Sequence, residues 1–110
     1  TALSEFEQIL QKLHANDVKL IATAAVREAS NSSAFVKRVK DAINRHILII
    51  DGKRKAEYVF KGVSMCHQFD SNSMIMDIGG GSTEFIRVNA NGIQELVFLK
   101  IGVSRLYQMF

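Results

Sequence analysis

The spacing of apolar and polar positions divides the chain into two kinds of segment. Across the first seventy residues, apolar side chains recur every three to four positions in three stretches, the spacing of one helical face. These stretches predict helices over residues 3–15, 32–44 and 53–69. Shorter apolar segments between them predict buried strands over 18–25 and 46–50, and a helical turn over 26–29. This order of elements is typical of an α/β arrangement with parallel strands.

The pattern changes after the polar break at residues 71–73. Three segments with strand character follow, at 74–78, 83–88 and 93–99. Their connectors are short and rich in Gly and Asn, which accept tight turns, so they predict an antiparallel meander. A last helix is expected to begin near Gly102. The change of pattern predicts a domain junction, with one unit over residues 1–70 and another over 71–110.

Composition narrows the class of protein. A chain of 110 residues with 47% hydrophobic content suits one modest domain or part of a larger one. The single cysteine, Cys66, excludes an internal disulfide and fits a cytoplasmic location. Cys66 and the four methionines, Met65, Met74, Met76 and Met109, are predicted to pack in the core. No apolar run is long enough for a membrane span, so no membrane partner is expected.

The chain ends and the sheet edges suggest a fragment of a larger protein. Short parallel strands need neighbours, and a meander needs cover on its second face. Unpaired edges and uncovered faces favour association between copies, so we expect a homo-oligomer.

The net charge of +3 is concentrated in the middle of the chain. The basic residues between positions 35 and 61 are Lys37, Arg38, Lys40, Arg45, Lys53, Arg54, Lys55 and Lys61. Such a region attracts polyanions, although it also fits the solvated faces of two helices. No aromatic side chains are interleaved in the manner of a nucleic-acid platform, so nucleic acid is not specifically predicted as a partner.

The segment from Met74 to Glu84 carries the strongest chemical signal. A strand ends in Asp77, and three glycines, a hydroxyl pair and Glu84 follow. Glycines let backbone N–H groups approach an anion closely. Two acids beside such a cradle would repel a bare phosphate unless a divalent cation joins them or one acid handles the attacking water. The segment therefore predicts metal-assisted phosphate chemistry, and its alternative is a glycine-rich turn with solvated acids.

Four segments of the chain, in order, resemble motifs of the exopolyphosphatase / guanosine pentaphosphate phosphohydrolase (Ppx/GppA phosphatase) family. They are Ile21 to Asn31, Ile49 to Glu57, Met76 to Phe85, and Ile101 to Leu106. This resemblance implies an α/β fold of the actin-like (ribonuclease H-like) ATPase superfamily, with two lobes and a cleft between them. Residues 1–70 would form the last part of the first lobe, and residues 71–110 the opening meander of the second.

The resemblance also implies roles for individual residues. Asp77 and Glu84 would hold Mg²⁺ (or Mn²⁺) and place the attacking water. Terminal phosphates would be bound by the residues of the turn, namely Gly79, Gly80, Gly81, Ser82 and Thr83. Arg27 and Thr23 would bind them from the opposite lobe. An arginine suits this task because its guanidinium can grip two phosphate oxygens at once. Arg105 is expected to pack rather than to touch the substrate.

Lys55 departs from the family pattern. It stands where the resemblance places the glutamate that activates water, and a protonated lysine cannot accept a proton. Three interpretations remain open. The protein is a phosphate-binding relative without hydrolysis, or Glu57 serves instead, or the register differs by a residue or two. Glu57 would point about 200° away around a helix.

The predicted function is removal of terminal phosphate from inorganic polyphosphate or guanosine pentaphosphate, with the isolated chain inactive. The first alternative is a non-catalytic protein that binds polyphosphate or guanosine tetra- or pentaphosphate, as Lys55 suggests. The second is a kinase or ATPase of the actin-like superfamily. A P-loop enzyme is disfavoured because no Gly-Lys-Ser/Thr follows the glycines.

Overall fold

The computed structural model describes all residues, 1–110, and they form two compact units, Thr1–Ile50 and Asp51–Phe110. The elements of the first unit are α1 (Ala2–Lys12), β1 (Leu20–Ala22), α2 (Ala24–Arg27), α3 (Ser32–Ile43) and β2 (Ile47–Ile49). Those of the second are α4 (Gly52–Ser64), β3 (Ser73–Ile78), β4 (Thr83–Asn89), β5 (Gly92–Leu99) and α5 (Val103–Met109). No helix has both the length and the apolar character that a membrane crossing requires.

The first unit is built on a pair of parallel strands. β1 and β2 pair in the register Leu20 to Ile47, and the chain passes between them through α2 and α3. α3 ends at Asn44, which takes a left-handed conformation with φ of 52°, as asparagine does at helix ends more readily than most residues. α1 and α3 are tied by Arg45, whose Nη2 donates to Glu7 Oε1 at 2.9 Å. Periodicity thus predicted the kind and order of these elements, but the strand predicted over 18–25 covers only Leu20–Ala22, and the helical turn predicted over 26–29 is α2 at Ala24–Arg27.

The second unit is an antiparallel meander with a helix on one face. The strand order is β3-β4-β5, and a β-turn with Gly92 at φ of 100° joins the last two strands. Every second residue of β4 is buried, which places Ile86 and Val88 against Ala56 of α4. Since successive strand residues point to opposite faces, the alternation in β4 decides which side chains face α4.

The opposite face of the meander is apolar and exposed. Met74, Met76 and Ile78 on β3 alternate away from α4, and Val97 and Leu99 on β5 are exposed as well. The prediction that the methionines pack in the core is therefore wrong within this chain, and Met65 and Met109 are exposed too. Cys66 is also exposed, because α4 ends at Ser64 instead of continuing to residue 69.

The compact units divide between Ile50 and Asp51, because α4 packs against the meander. The polar break at residues 71–73 lies inside the second unit, between α4 and β3. The assignment of residues 1–70 and 71–110 to two lobes of a larger fold stays a prediction.

Candidate functional site

Two carboxylates lie directly opposite each other across β3 and β4. Asp77 and Glu84 are paired in the strand register, one residue inside the end of each strand. Glu84 is only 1% exposed, while the Asp77 side chain is 28% exposed. Like charges at directly opposed positions of a sheet destabilise the pairing, and a buried carboxylate needs a compensating partner. The arrangement therefore calls for a cation.

That cation is Lys55. Its Nζ lies 2.8 Å from Glu84 Oε2 and 2.9 Å from Asp77 Oδ2, so a single ammonium group bridges both acids. The second oxygen of Glu84, Oε1, accepts a hydrogen bond of 2.8 Å from the buried hydroxyl of Ser82. Both oxygens of the buried carboxylate are thereby satisfied by groups of the chain itself.

The start of α4 places Lys55 at this position. Asp51 precedes the helix and its side chain accepts a hydrogen bond of 2.7 Å from the backbone N–H of Arg54, which fixes the first turn. Ala56, the next residue, is buried against β4. Lys55 therefore leaves the helix beside its buried face and reaches the end of the meander.

The protonation state of Lys55 follows from its neighbours. Partial burial lowers the pKa of Lys55, but hydrogen bonds and charge attraction from Asp77 and Glu84 outweigh burial and raise the pKa above its usual value. Lys55 is therefore an ammonium ion at neutral pH. It cannot accept a proton from water, so the side chain at the expected position of the base does not serve as one.

The glycine turn is compact, and the absence of side chains lets Lys55 and Ser104 lie close to its backbone. The N–H of Gly79 donates to the carbonyl oxygen of Ser82 at 2.8 Å and closes the turn. A Cβ on Gly79 would lie 3.5 Å from Lys55 Nζ, and one on Gly80 would lie 3.1 Å from Ser104 Oγ. Neither glycine takes a positive φ. Glycine is therefore needed at these positions because a side chain would crowd Lys55 and Ser104, and not because the backbone is left-handed.

The first turn of α5 holds the carbonyl side of the glycine turn. The N–H of Val103 donates to Gly79 O at 3.0 Å, and those of Ser104 and Arg105 donate to Gly80 O at 2.9 and 3.1 Å. Arg105 Nε also donates to Gly81 O at 3.1 Å. The amides of Gly80 and Gly81 make no hydrogen bond within the chain. Backbone N–H groups of this kind are what an anion needs.

Gly102 allows this docking. It is buried, and a Cβ on it would lie 2.5 Å from both the carbonyl carbon and the carbonyl oxygen of Gly80. Those atoms are backbone and cannot move aside like the end of a flexible side chain. Sequence reasoning assigned no role to Gly102 or Ser104 and expected Arg105 only to pack. The signal that could have found all three is the fourth segment of the resemblance, from Ile101 to Leu106.

The structure brings together four of the predicted site residues, namely Lys55, Asp77, Ser82 and Glu84. The Thr83 hydroxyl donates to Ile101 O at 2.6 Å, so it helps to fix the chain before α5. Glu57, the alternative base, lies 3.4 Å from Arg54 and takes no part in the cluster.

Arg27 and Thr23 belong to the first compact unit. Arg27 Nη1 donates to the carbonyl oxygen of Ile50 at 2.8 Å, and its Nη2 lies 3.5 Å from Glu28 Oε1. Thr23 precedes α2, and its side chain makes no capping hydrogen bond to that helix. The role of both residues as phosphate ligands stays a prediction.

The donor set does not fit the expected Mg²⁺ or Mn²⁺. No group of three or more His, Cys, Asp or Glu side chains is arranged to hold a metal ion. Of the two acids, Glu84 gives one oxygen to Lys55 and the other to Ser82, and Asp77 gives one to Lys55. An ammonium group at hydrogen-bond distance from both acids also repels a second cation. Metal binding at Asp77 and Glu84 therefore requires that Lys55 move or be replaced.

Removing the ammonium group is expected to destabilise the second unit. In Lys55→Ala, the buried Glu84 and the facing Asp77 lose their shared counter-ion, and breaking such a pair typically costs about 3 kcal/mol. Chemical denaturation of the full-length protein should show this loss. The double variant Lys55→Ala/Glu84→Gln should recover most of it, because the buried charge is gone. A stability unchanged in the single variant would contradict the role of Lys55 as counter-ion.

A family model supports one assignment for the whole chain. The model described as "Ppx/GppA phosphatase family" matches residues 1–110. Among curated proteins, the "Bifunctional 3-dehydroquinate synthase/phosphatase" of Fusobacterium nucleatum is 37% identical over 112 residues, covering 98% of this chain and 17% of that protein. The "Guanosine-5'-triphosphate,3'-diphosphate pyrophosphatase" of Photobacterium profundum is 35% identical over 100 residues, covering 91% of this chain and 20% of that protein. The chain thus spans about a fifth of the length of these relatives.

Solved structures agree in fold. An exopolyphosphatase from Cytophaga hutchinsonii superposes with a TM-score of 0.92 at 39% identity, covering 99% of this chain and 35% of that one. The Aquifex aeolicus member of the Ppx/GppA family superposes with a TM-score of 0.78 at 28% identity, covering 99% and 36%. The predicted actin-like α/β fold is confirmed by these neighbours. The chain belongs to the Ppx/GppA phosphatase family.

Proposed function

We propose that the protein carrying this chain binds the terminal phosphates of inorganic polyphosphate or of guanosine penta- or tetraphosphate, and that it hydrolyses them poorly or not at all. The observation that carries this proposal is the position of Lys55. Its ammonium group stands where the family resemblance expects the water-activating glutamate, and it is paired with both remaining acids.

The ligand class rests on the relatives and on the glycine turn. Relatives of this chain are named as a guanosine-5'-triphosphate,3'-diphosphate pyrophosphatase and as an exopolyphosphatase. Both names describe substrates that end in phosphate groups. In this chain, the amides of Gly80 and Gly81 are without partners in the turn, and Lys55 lies beside Gly79. Amides and an ammonium group together suit a phosphate oxygen.

The second candidate function is hydrolysis of the same ligands. It is favoured by the presence of Asp77 and Glu84 in the arrangement that the resemblance gives to the metal-binding acids, and by the hydrolytic names of the relatives. It requires another group to activate water. No other acid joins the cluster, because Glu57 lies on the helix surface beside Arg54. Cytoplasmic location and homo-oligomer formation stay predictions.

The experiment that tests this function measures binding and release on one protein sample. We expect the full-length protein to bind tripolyphosphate in calorimetry and to release phosphate from polyphosphate only at the background rate. Gly80→Val should weaken binding about tenfold or more, because its Cβ would lie 3.1 Å from Ser104 Oγ, so a branched side chain forces the turn and α5 apart and changes the direction of the turn amides. Lys53→Ala, which removes an exposed charge from the same helix, is the matched control and should bind normally.

The outcomes of this experiment distinguish the two candidate functions. Binding without release supports the proposal, whereas catalytic release by the unmodified protein selects the hydrolase. Absence of binding to tripolyphosphate and to guanosine pentaphosphate would overturn both.

A further inference from the structure

The contacts of Lys55 leave one of its hydrogens unused. An ammonium group has three N–H donors. Two of them are directed to Asp77 Oδ2 and Glu84 Oε2, and no third partner is present in the chain. The Lys55 side chain is 20% exposed, so this third donor has access to solvent. The group is therefore fixed by the protein on one side and open on the other.

The Lys55 ammonium group lies next to the glycine turn. Nζ would be 3.5 Å from a Cβ at Gly79, which is a van der Waals contact distance. The free amides of Gly80 and Gly81 follow directly in the chain. The ammonium group and the free amides thus belong to the same turn.

We propose that Lys55 is a built-in replacement for the divalent cation: its ammonium group joins Asp77 and Glu84 and donates its third hydrogen to a terminal phosphate oxygen, so that the site takes a phosphate ligand without metal. The part of this inference that concerns the ligand rests on the proposed function. The part that concerns the metal rests only on the contacts of Lys55.

The charges of the cluster are consistent with this exchange. Two carboxylates and one ammonium group leave one negative charge in excess. A divalent ion in place of Lys55 would contribute one more positive charge. We therefore expect the lysine form of the site to bind phosphate more weakly than a metal-loaded form, and independently of magnesium.

The metal part is tested with Mn²⁺ as the probe and its electron paramagnetic resonance signal as the readout. The full-length protein should leave added Mn²⁺ free in solution. Lys55→Glu, which sets three carboxylates around the same point, should bind one Mn²⁺ per chain, and Lys55→Glu/Glu84→Gln should lose most of that binding. Lys53→Glu makes the same charge change at an exposed position of the helix and is the matched control. Mn²⁺ binding by the unmodified protein that is lost in Glu84→Gln would overturn the inference.

The ligand part is tested by titrating tripolyphosphate into the full-length protein with EDTA and then with excess Mg²⁺. Binding in EDTA that Mg²⁺ does not strengthen supports the inference. Binding that requires Mg²⁺ overturns the inference and leaves the proposed function intact. No binding in either buffer overturns the proposed function, and the Mn²⁺ signal then still decides the role of Lys55. The expected result, absence of Mn²⁺ binding, is measured on the unmodified protein and does not depend on whether any variant folds.

Discussion

Replacing Lys55 by glutamate is expected to raise magnesium-dependent phosphate release from polyphosphate by about 10²–10⁴-fold, the usual contribution of a positioned general base. The substitution removes the ammonium group that holds Asp77 and Glu84, and it puts a carboxylate at the position where the family resemblance expects one. Three acids around one point form an oxygen donor set of the kind that Mg²⁺ accepts.

The measurement is phosphate release by the full-length protein with and without Mg²⁺, for the unmodified chain, Lys55→Glu and Lys53→Glu. Only Lys55→Glu should respond, and only with Mg²⁺ present. Thermal unfolding in both buffers checks folding, because three uncompensated acids destabilise the variant until a cation binds. A folded Lys55→Glu protein that binds Mg²⁺ and remains silent would show that Lys55 is not the sole reason for poor hydrolysis.

The second large effect is expected for Gly102→Ala. The added methyl group would lie 2.5 Å from the carbonyl carbon and oxygen of Gly80, and 2.6 Å from the carbonyl oxygen of Gly79. The glycine turn and α5 must separate to relieve this clash, and overpacking of this kind costs about 1–3 kcal/mol. The separation also breaks hydrogen bonds that set the direction of the turn amides. We expect lower stability together with at least a tenfold loss of tripolyphosphate affinity.

The chain offers a matched control in Gly62→Ala. Gly62 lies in α4, and a Cβ there would meet nothing within 4 Å. Alanine in a helix is more favourable than glycine by about 0.5–1 kcal/mol. Denaturation should therefore show Gly62→Ala at or above the stability of the unmodified protein, with unchanged ligand affinity. Equal stability of the two variants would show that the contact between Gly102 and the glycine turn is not tight in solution.

The part of the site that lies within one short segment of the chain could be predicted from the sequence. Asp77 and Glu84 flank three glycines within one short segment, so a turn that brings two acids near a cradle follows from that segment alone. The contact of both acids with Lys55 joins parts of the chain that are more than twenty residues apart. Local propensity does not specify such a distant contact, and only the family resemblance drew attention to Lys55.

The failures have a similar origin. The contact of Gly102 with the glycine turn depends on where α5 docks, and nothing in its immediate neighbours specifies that docking. Arg105, which is expected to pack, lies against the Gly81 carbonyl. Cys66 was assigned to the core by helical periodicity, which was extended past the residue where α4 ends. Met74 and Met76 are expected to pack, whereas alternation along β3 puts them on the face that α4 does not cover.

The facing pair of acids has a consequence for the order in which the second unit folds. The hairpin of β4 and β5 brings no carboxylates into direct opposition, so it can form from its own residues. β3 adds to that hairpin by placing Asp77 against Glu84, a like-charge pair that costs up to about 1 kcal/mol and that Lys55 of α4 compensates. We therefore expect the pairing of β3 and the docking of α4 to stabilise each other.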